Sequence, residues 1–345
     1  MSTPREDLLR LAYGYRASQC LYAGGVLGLF DRLAVRALTA EELARDIGAD
    51  SDAVARLVRA LVELGLIERD AHGRCALTPT SRLLVAGSEG SERAELMHAL
   101  HPTSWLPWGN LANAVQSGAA AFPDLFGKSA WDHRRADPES AAVFHAMAEG
   151  RSRRDVEFVL DNLEPRGARS IVDAGGGTGR MMVSLLARWP DVSGVILERT
   201  EVAADAARLI DDAGLSNRCT VEAGNFFREI PRGDLVLLKA ILHNHDDKHA
   251  FTILRNARRA LAPGGRAVII EALAEEPSAN GWQDLHMLVM HGGRERTREE
   301  YLRLLKAAGL PMTTMRVEDG RMLIEARPRH DSVAGRGHGE GMSQP

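Results

Sequence analysis

Apolar residues in the first hundred positions recur mostly at helical spacing. AGGVLGLFDRL predicts a short apolar helix from Ala23 to Leu33. Thr39 can cap the next helix, with Glu42 three places on completing a capping box. After Gly48, the run SDAVARLVRALVELG sets Val54, Leu57, Val58, Leu61 and Leu64 on one stripe. LIERDAHGRCALTPTSRLL then predicts two short strands around His72-Gly73. Helix, turn, helix, hairpin is the winged-helix pattern. Between 88 and 140 the periodicity loosens, and turn residues with scattered aromatics such as Trp105 and Trp108 predict loops and short helices. Phe144, His145 and Met147 fall on a further helix.

From Ser170 the pattern changes. SIVDAGGGTG, VSGVILE, CTVEAG, DLVLLKAIL and RAVIIEAL are short β-rich runs, separated by helical stretches such as DKHAFTILRNARRALAPGG. Strands alternating with helices predict an α/β fold with a mostly parallel sheet covered on both faces. The stretch from Arg329 onward is Gly-rich and polar and is expected to be disordered.

Composition narrows the picture little. The 345 residues are 45% hydrophobic and 26% charged, ordinary for a soluble chain, and the length favours two domains. The formal net charge of −4 argues against nucleic-acid binding. The helix Ser51 to Leu64 offers Arg56 and Arg59 against Asp52 and Glu63, so the winged region reads as packing or dimerisation scaffold. Cys20, Cys75 and Cys219 lie far apart without metal-ligand spacing, as in a reduced, cytoplasmic protein. The charged N-terminus and the lack of a long apolar run predict neither signal peptide nor membrane span.

The chemistry concentrates in Asp173-Ala174-Gly175-Gly176-Gly177-Thr178-Gly179, a Gly-rich turn between a strand and a helix. Its glycines run GxGxG, which fails the dinucleotide spacing GxGxxG. Asp173 would repel a pyrophosphate but attract the ammonium and sulfonium of S-adenosyl-L-methionine. Glu198, at the end of the next strand, can accept both ribose hydroxyls. After the third strand, the Asn225 amide can pair an adenine edge while Phe226 covers its face.

With VDAGGGTG, GNFF, LLKAILHNHDD, ILRNARRALAPGGRAVIIE and GGRERT in this order, the chain resembles the class I small-molecule O-methyltransferases of plant caffeate type and bacterial antibiotic tailoring. The resemblance implies a Rossmann-like methyltransferase domain with a mostly parallel sheet, preceded by an α-rich winged-helix dimerisation domain. The expected division is 1–100 for dimerisation, 101–328 for the methyltransferase domain with a helical substrate-lining part, and 329–345 for the tail, the cofactor half proper starting near residue 150. It implies that His243 is the general base and that Glu271 and Glu295 flank and orient its ring. Lys239 matches a cofactor-contacting position, and Asp284 and Met287 match positions near the acceptor ring. Phe144 and Met147 are further candidates for the acceptor pocket. The implied partners are a hydroxylated small molecule and a second copy of the chain.

Three positions depart from the family: His245 stands where Trp is usual, Asn225 where Asp is usual, and Glu198 where Asp is commoner. His243, His245 and His249 beside Asp246 and Asp247 also admit a metal reading, yet two aspartates before a helix are more simply caps, and no metal is expected. Two other functions remain open: the same fold using its cofactor for hydroxylation, decarboxylation or ring closure, and a winged-helix regulator.

Overall fold

The computed structural model describes residues 3–275 and 280–329. Contacts divide the chain into two compact units, residues 1–159 with 282–293 and residues 160–281 with 294–345. The helices between 101 and 159, expected as the helical substrate-lining part of the methyltransferase domain, belong by contacts to the first unit. The stretch expected to be a disordered tail lies, beyond Arg329, outside the described residues.

The first unit opens with the helix Pro4–Val26, longer than its sequence pattern suggested. The helix expected over Ala23 to Leu33 is instead broken at Gly28, whose left-handed φ of 66° starts a separate helix, Leu29–Val35. That positive φ, which side chains rarely adopt, is why the break takes glycine. Thr39 caps Ala40–Ile47 with the expected reciprocal bond to Glu42. Asp50 caps Ser51–Glu63, whose Val54, Val58 and Leu61 are buried. Leu64 falls off the expected stripe: it ends the helix and is 41% exposed. Strands β1 (Ile67–Arg69) and β2 (Cys75–Leu77) form the hairpin. Short helices fill 93–136 before the long helix Pro138–Asn162.

The second unit is built on one seven-stranded sheet. Its strands are β3 (Ser170–Ala174), β4 (Ser193–Glu198), β5 (Cys219–Ala223), β6 (Gly233–Lys239), β7 (Leu261–Ala272), β8 (Met312–Glu318) and β9 (Arg321–Ala326). The order is β5-β4-β3-β6-β7-β9-β8. The first five are parallel, while β9 pairs antiparallel with both β7 and β8. That closing pair was not foreseen, and β7 begins at Leu261, inside a stretch read as helical. Val172, Val236, Leu238, Ile269 and Ile324 are fully buried, each contributing ~1.5–3 kcal/mol by burial. Such apolar strands require cover on both faces.

The chain leaves β3 toward β5, then returns to place β6 on the other side of β3. This reversal opens a crevice outside the carboxyl ends of the strands, where open α/β sheets bind ligands. Register then decides which side chains line that edge. Asp173 pairs with Ile196 and Leu237, Glu198 with Ala223, and Lys239 with Ile270, one residue before Glu271.

Candidate active site

At the end of β3, the turn is shaped by three glycines with positive φ: Gly175 at 83°, Gly177 at 58° and Gly179 at 87°. A β-carbon on Gly175 would strike Ile241 at 2.5 Å, and one on Gly179 would strike Ile196 at 2.9 Å, so these two are needed for packing. Gly177 differs. Nothing lies within 4 Å of the place its β-carbon would take, so a ligand can approach its backbone. Its N–H donates to Glu198 Oε2 at 2.9 Å, while Glu198 Oε1 accepts the Arg199 N–H at 2.7 Å. Burial is the main cause that raises the Glu198 pKa.

Asp173 is 2% exposed, and no hydrogen bond from the described residues holds its carboxylate. Burial raises its pKa to about 7, with Lys239 pulling down and Glu198 pushing up. A buried acid so placed is completed by a cation. Together with the open backbone at Gly177, this makes the edge fit a positively charged nucleoside. Asn225 is exposed, and its Oδ1 accepts the Phe227 N–H at 2.8 Å, which engages the expected adenine-pairing amide as a turn cap through its oxygen. Phe226 and Phe227 meet at 5.0 Å between ring centres, and His245 stands edge-on to Phe227 at 5.1 Å. Burial holds the His245 pKa down at about 4, so this ring is neutral at physiological pH.

The second cluster is built on the turn after β6. Ala240 adopts φ 53°, a left-handed conformation that a residue with a side chain rarely takes. This turn delivers the N–H groups of Ile241 and Leu242 to Glu271 Oε1, at 3.0 and 2.7 Å. His243 follows, and its Nδ1 lies 2.9 Å from Glu295 Oε1 and 3.6 Å from Glu271 Oε2. Glu295 is thus the direct partner of the ring. Glu271 chiefly fixes the backbone, with its second oxygen nearby. Both are buried, and burial raises the Glu271 pKa. The two glutamates crowd Nδ1. His243 Nδ1 and these carboxylates also lie close enough together to hold a metal ion. The five-residue histidine–aspartate run considered from sequence is instead partly capping. Asp246 caps the helix Asp247–Ala260 and accepts the His249 N–H.

Sequence reading missed Arg296. Its side chain is fully buried and reaches the Leu242 carbonyl at 2.9 Å, the His245 carbonyl at 2.7 Å and Asp247 at 2.9 Å. The Arg294 N–H also donates to the His243 carbonyl at 2.9 Å. The Arg294 side chain pairs with Glu300. The local signal was present: three charges in GGRERT close to a strand end.

The acceptor candidates lie in the first unit. Met147 and Met287 are buried on the helices Pro138–Asn162 and Gly281–His291, and Asp284 is half-buried in the first turn of the latter. Phe144 packs edge-on against His98 and Trp131, at 5.6 and 5.5 Å. Trp131 stacks on His291 and Trp108 on His286.

A mostly parallel sheet with an acid at each of its first two strand ends and an open glycine turn between them defines the class I methyltransferases. Residues 108–311 match the model of the O-methyltransferase domain, and residues 9–87 that of the O-methyltransferase dimerisation domain. The chain is 32% identical over 327 residues to phenazine O-methyltransferase PhzM of Lysobacter antibioticus, covering 93% of this chain and 95% of that protein. It is 33% identical over 312 residues to aclacinomycin 10-hydroxylase RdmB of Streptomyces purpurascens, covering 88% and 83%. Among solved structures, the O-methyltransferase NcsB1 from neocarzinostatin biosynthesis superposes with a TM-score of 0.84 at 31% identity, over 90% of this chain and 96% of that one. That crystal holds S-adenosylmethionine and 2-hydroxy-5-methyl naphthoic acid. The chain belongs to the O-methyltransferase family and is an S-adenosyl-L-methionine-dependent enzyme.

Proposed function

We propose that the protein methylates a phenolic hydroxyl of a small natural product, with His243 as general base. The observation that carries this reading is the His243–Glu295 contact at 2.9 Å, made through Nδ1. A phenol has a pKa near ~10 and is a poor nucleophile at neutral pH. Nε2 takes the hydroxyl proton as the oxygen attacks, and Glu295 stabilises the imidazolium that results. Glu271 keeps the loop in place by gripping two of its N–H groups. S-adenosylmethionine, when bound, supplies an electrophilic methyl group on a sulfonium. Asp173 would hold its ammonium, Glu198 its ribose, Phe226 and Asn225 its base, and the backbone at Gly177 its close-lying chain, with Lys239 also at this edge. Asp284, Met287, Phe144 and Met147 would shape the acceptor site. The dimerisation domain would pair with a second copy. Leu8, Leu11, Tyr13 and Tyr15 on the first helix offer apolar surface for that purpose, being about half to two-thirds exposed. No helix among the described residues is long and apolar enough to cross a membrane.

The test is His243→Ala. Turnover of a phenolic acceptor should fall by ~10²–10⁴, while affinity for S-adenosylhomocysteine, measured by calorimetry, stays within about threefold. A variant that methylates at near wild-type rate removes His243 as the base. If mass analysis of the wild-type reaction shows a hydroxylated or decarboxylated product instead, the fold serves a different chemistry.

A further inference from the structure

The first unit carries a cation that its own side chains do not balance. Arg134, on the helix Ala130–Ala136, lays its guanidinium on two rings, with Cζ 4.0 Å from the Phe144 centroid and 4.9 Å from that of Trp131. Its Nη1 is wholly enclosed there and has no hydrogen-bond partner. Among the described residues, no carboxylate pairs with the guanidinium and no acceptor takes a bond from its Nε–Nη2 edge. Acids on its own helix and on the helix of His98 have other partners. Glu95 is held by Arg151 and Arg154, Asp132 by Arg135, and Asp137 lies against His133.

Two ring faces return less than the desolvation of a guanidinium costs. The imbalance shows in the titration as well: burial lowers the Arg134 pKa to about 9, which still leaves it charged at neutral pH. Its neighbour His98 supplies no counter-charge. Burial first, then the charge of Arg134, drives that imidazole down to about 3.

We infer that Arg134 recognises a carboxylate on the acceptor, and that the acceptor is an aromatic hydroxy acid. The inference rests on the proposed function through Phe144, which stands among the acceptor candidates and carries the guanidinium on its face. A carboxylate on the Nε–Nη2 edge would be bound by two parallel N–H donors, the fork that Arg151 offers Glu95 at 2.9 and 2.5 Å. The stacked Trp131 and His291 rings, 5.0 Å apart and inclined by 17°, provide a flat neighbour for an aromatic system.

The experiment titrates the enzyme–S-adenosylhomocysteine complex with hydroxynaphthoic acid, its primary carboxamide and the carboxyl-free naphthol. Wild type should bind the acid roughly thirtyfold more tightly than the amide. Arg134→Met should abolish that difference, leave naphthol binding unchanged and melt no lower than wild type. Arg134→Lys, which keeps the charge without the fork, should retain part of the preference and covers the case in which the Met variant fails to fold. Equal affinity for acid and amide in wild type, or measurable affinity for neither, overturns the inference. So does an acid preference that survives in Arg134→Met. Binding is read without turnover, so discrimination without methylation would instead refute the proposed methyl transfer and leave the carboxylate site standing.

Discussion

Replacing Glu295 by Gln isolates the charge that the site holds against its base. The amide keeps an oxygen acceptor for the Nδ1–H of His243, so ring orientation and tautomer are preserved. Only the negative charge, 2.9 Å from Nδ1, is lost. At that separation, and with an effective dielectric constant of ~20, an imidazolium and a carboxylate attract by about 6 kcal/mol. Glu271 remains, with an oxygen 3.6 Å from the same nitrogen, and part of the attraction only repays desolvation. A net loss of about 3 kcal/mol in the transition state is therefore expected, a fall of roughly a hundredfold in the chemical step. The assay is single-turnover transfer of a labelled methyl group to a phenolic acceptor, with enzyme and cofactor in excess. Affinity for S-adenosylhomocysteine should stay unchanged, since Glu295 does not belong to the cofactor cluster. A single-turnover rate within about threefold of wild type would show that no imidazolium develops beside Glu295.

Two further outcomes follow from buried ionisable groups. Asp173, held at about 7 against an ordinary value of 3.8, binds its proton more tightly folded than unfolded and so costs stability above pH 3.8, the full cost being reached above pH 7. Asp173→Asn should stabilise the ligand-free protein at pH 8 by about 1–3 kcal/mol in urea unfolding while weakening cofactor binding at least tenfold; a variant that binds normally would remove Asp173 from the cofactor site. His98 and His245 are shifted in the opposite sense for stability, to about 3 and about 4 from 6.5. Their contribution is intact above pH 6.5 and is lost as pH falls toward those values, each by ~1.4 kcal/mol per pH unit. His245→Phe should reduce the slope of stability against pH between 6 and 4.5 by about one proton, and an unchanged slope would mean that this ring is not held neutral by the fold.

The parts of the fold that follow from short-range pattern were legible in the sequence. The Thr39 capping box, the hairpin around His72 and the five parallel strands each declare themselves within a dozen residues. What stayed hidden depends on distant partners. The strands β8 and β9 carry mixed apolar and polar residues, and only pairing with the edge at β7 makes β9 a buried strand. The break at Gly28 is hidden in an apolar run: Leu29 and Phe30 after it are buried, while Val26 and Leu27 before it are exposed. The motif glycines, Asp173 and Glu198 could be placed from strand ends alone, since register fixes that edge. The separate duties of Glu271 and Glu295 could not. They follow from the left-handed turn at Ala240, which points two N–H groups at the first acid and leaves the second for the imidazole. Arg134 was equally invisible, because an unpaired guanidinium is recognised only when its surroundings are known.

Arg296 ties the loop that bears His243 to the segment before the helix Arg298–Ala307 that bears Glu295, through two carbonyls and one carboxylate. The proposed base His243 and its partner Glu295 are consequently set before any ligand arrives, which would leave little reorganisation to be done during the reaction. The fixed part of the enzyme is the proton-handling frame, anchored by bonds to main chain that substitutions at other side chains cannot remove. The acceptor candidates sit on helices of the other unit, outside that frame. If those helices shape the acceptor site as proposed, mutation there retunes which molecule is accepted while the frame persists, and a new substrate is acquired without rebuilding the chemistry.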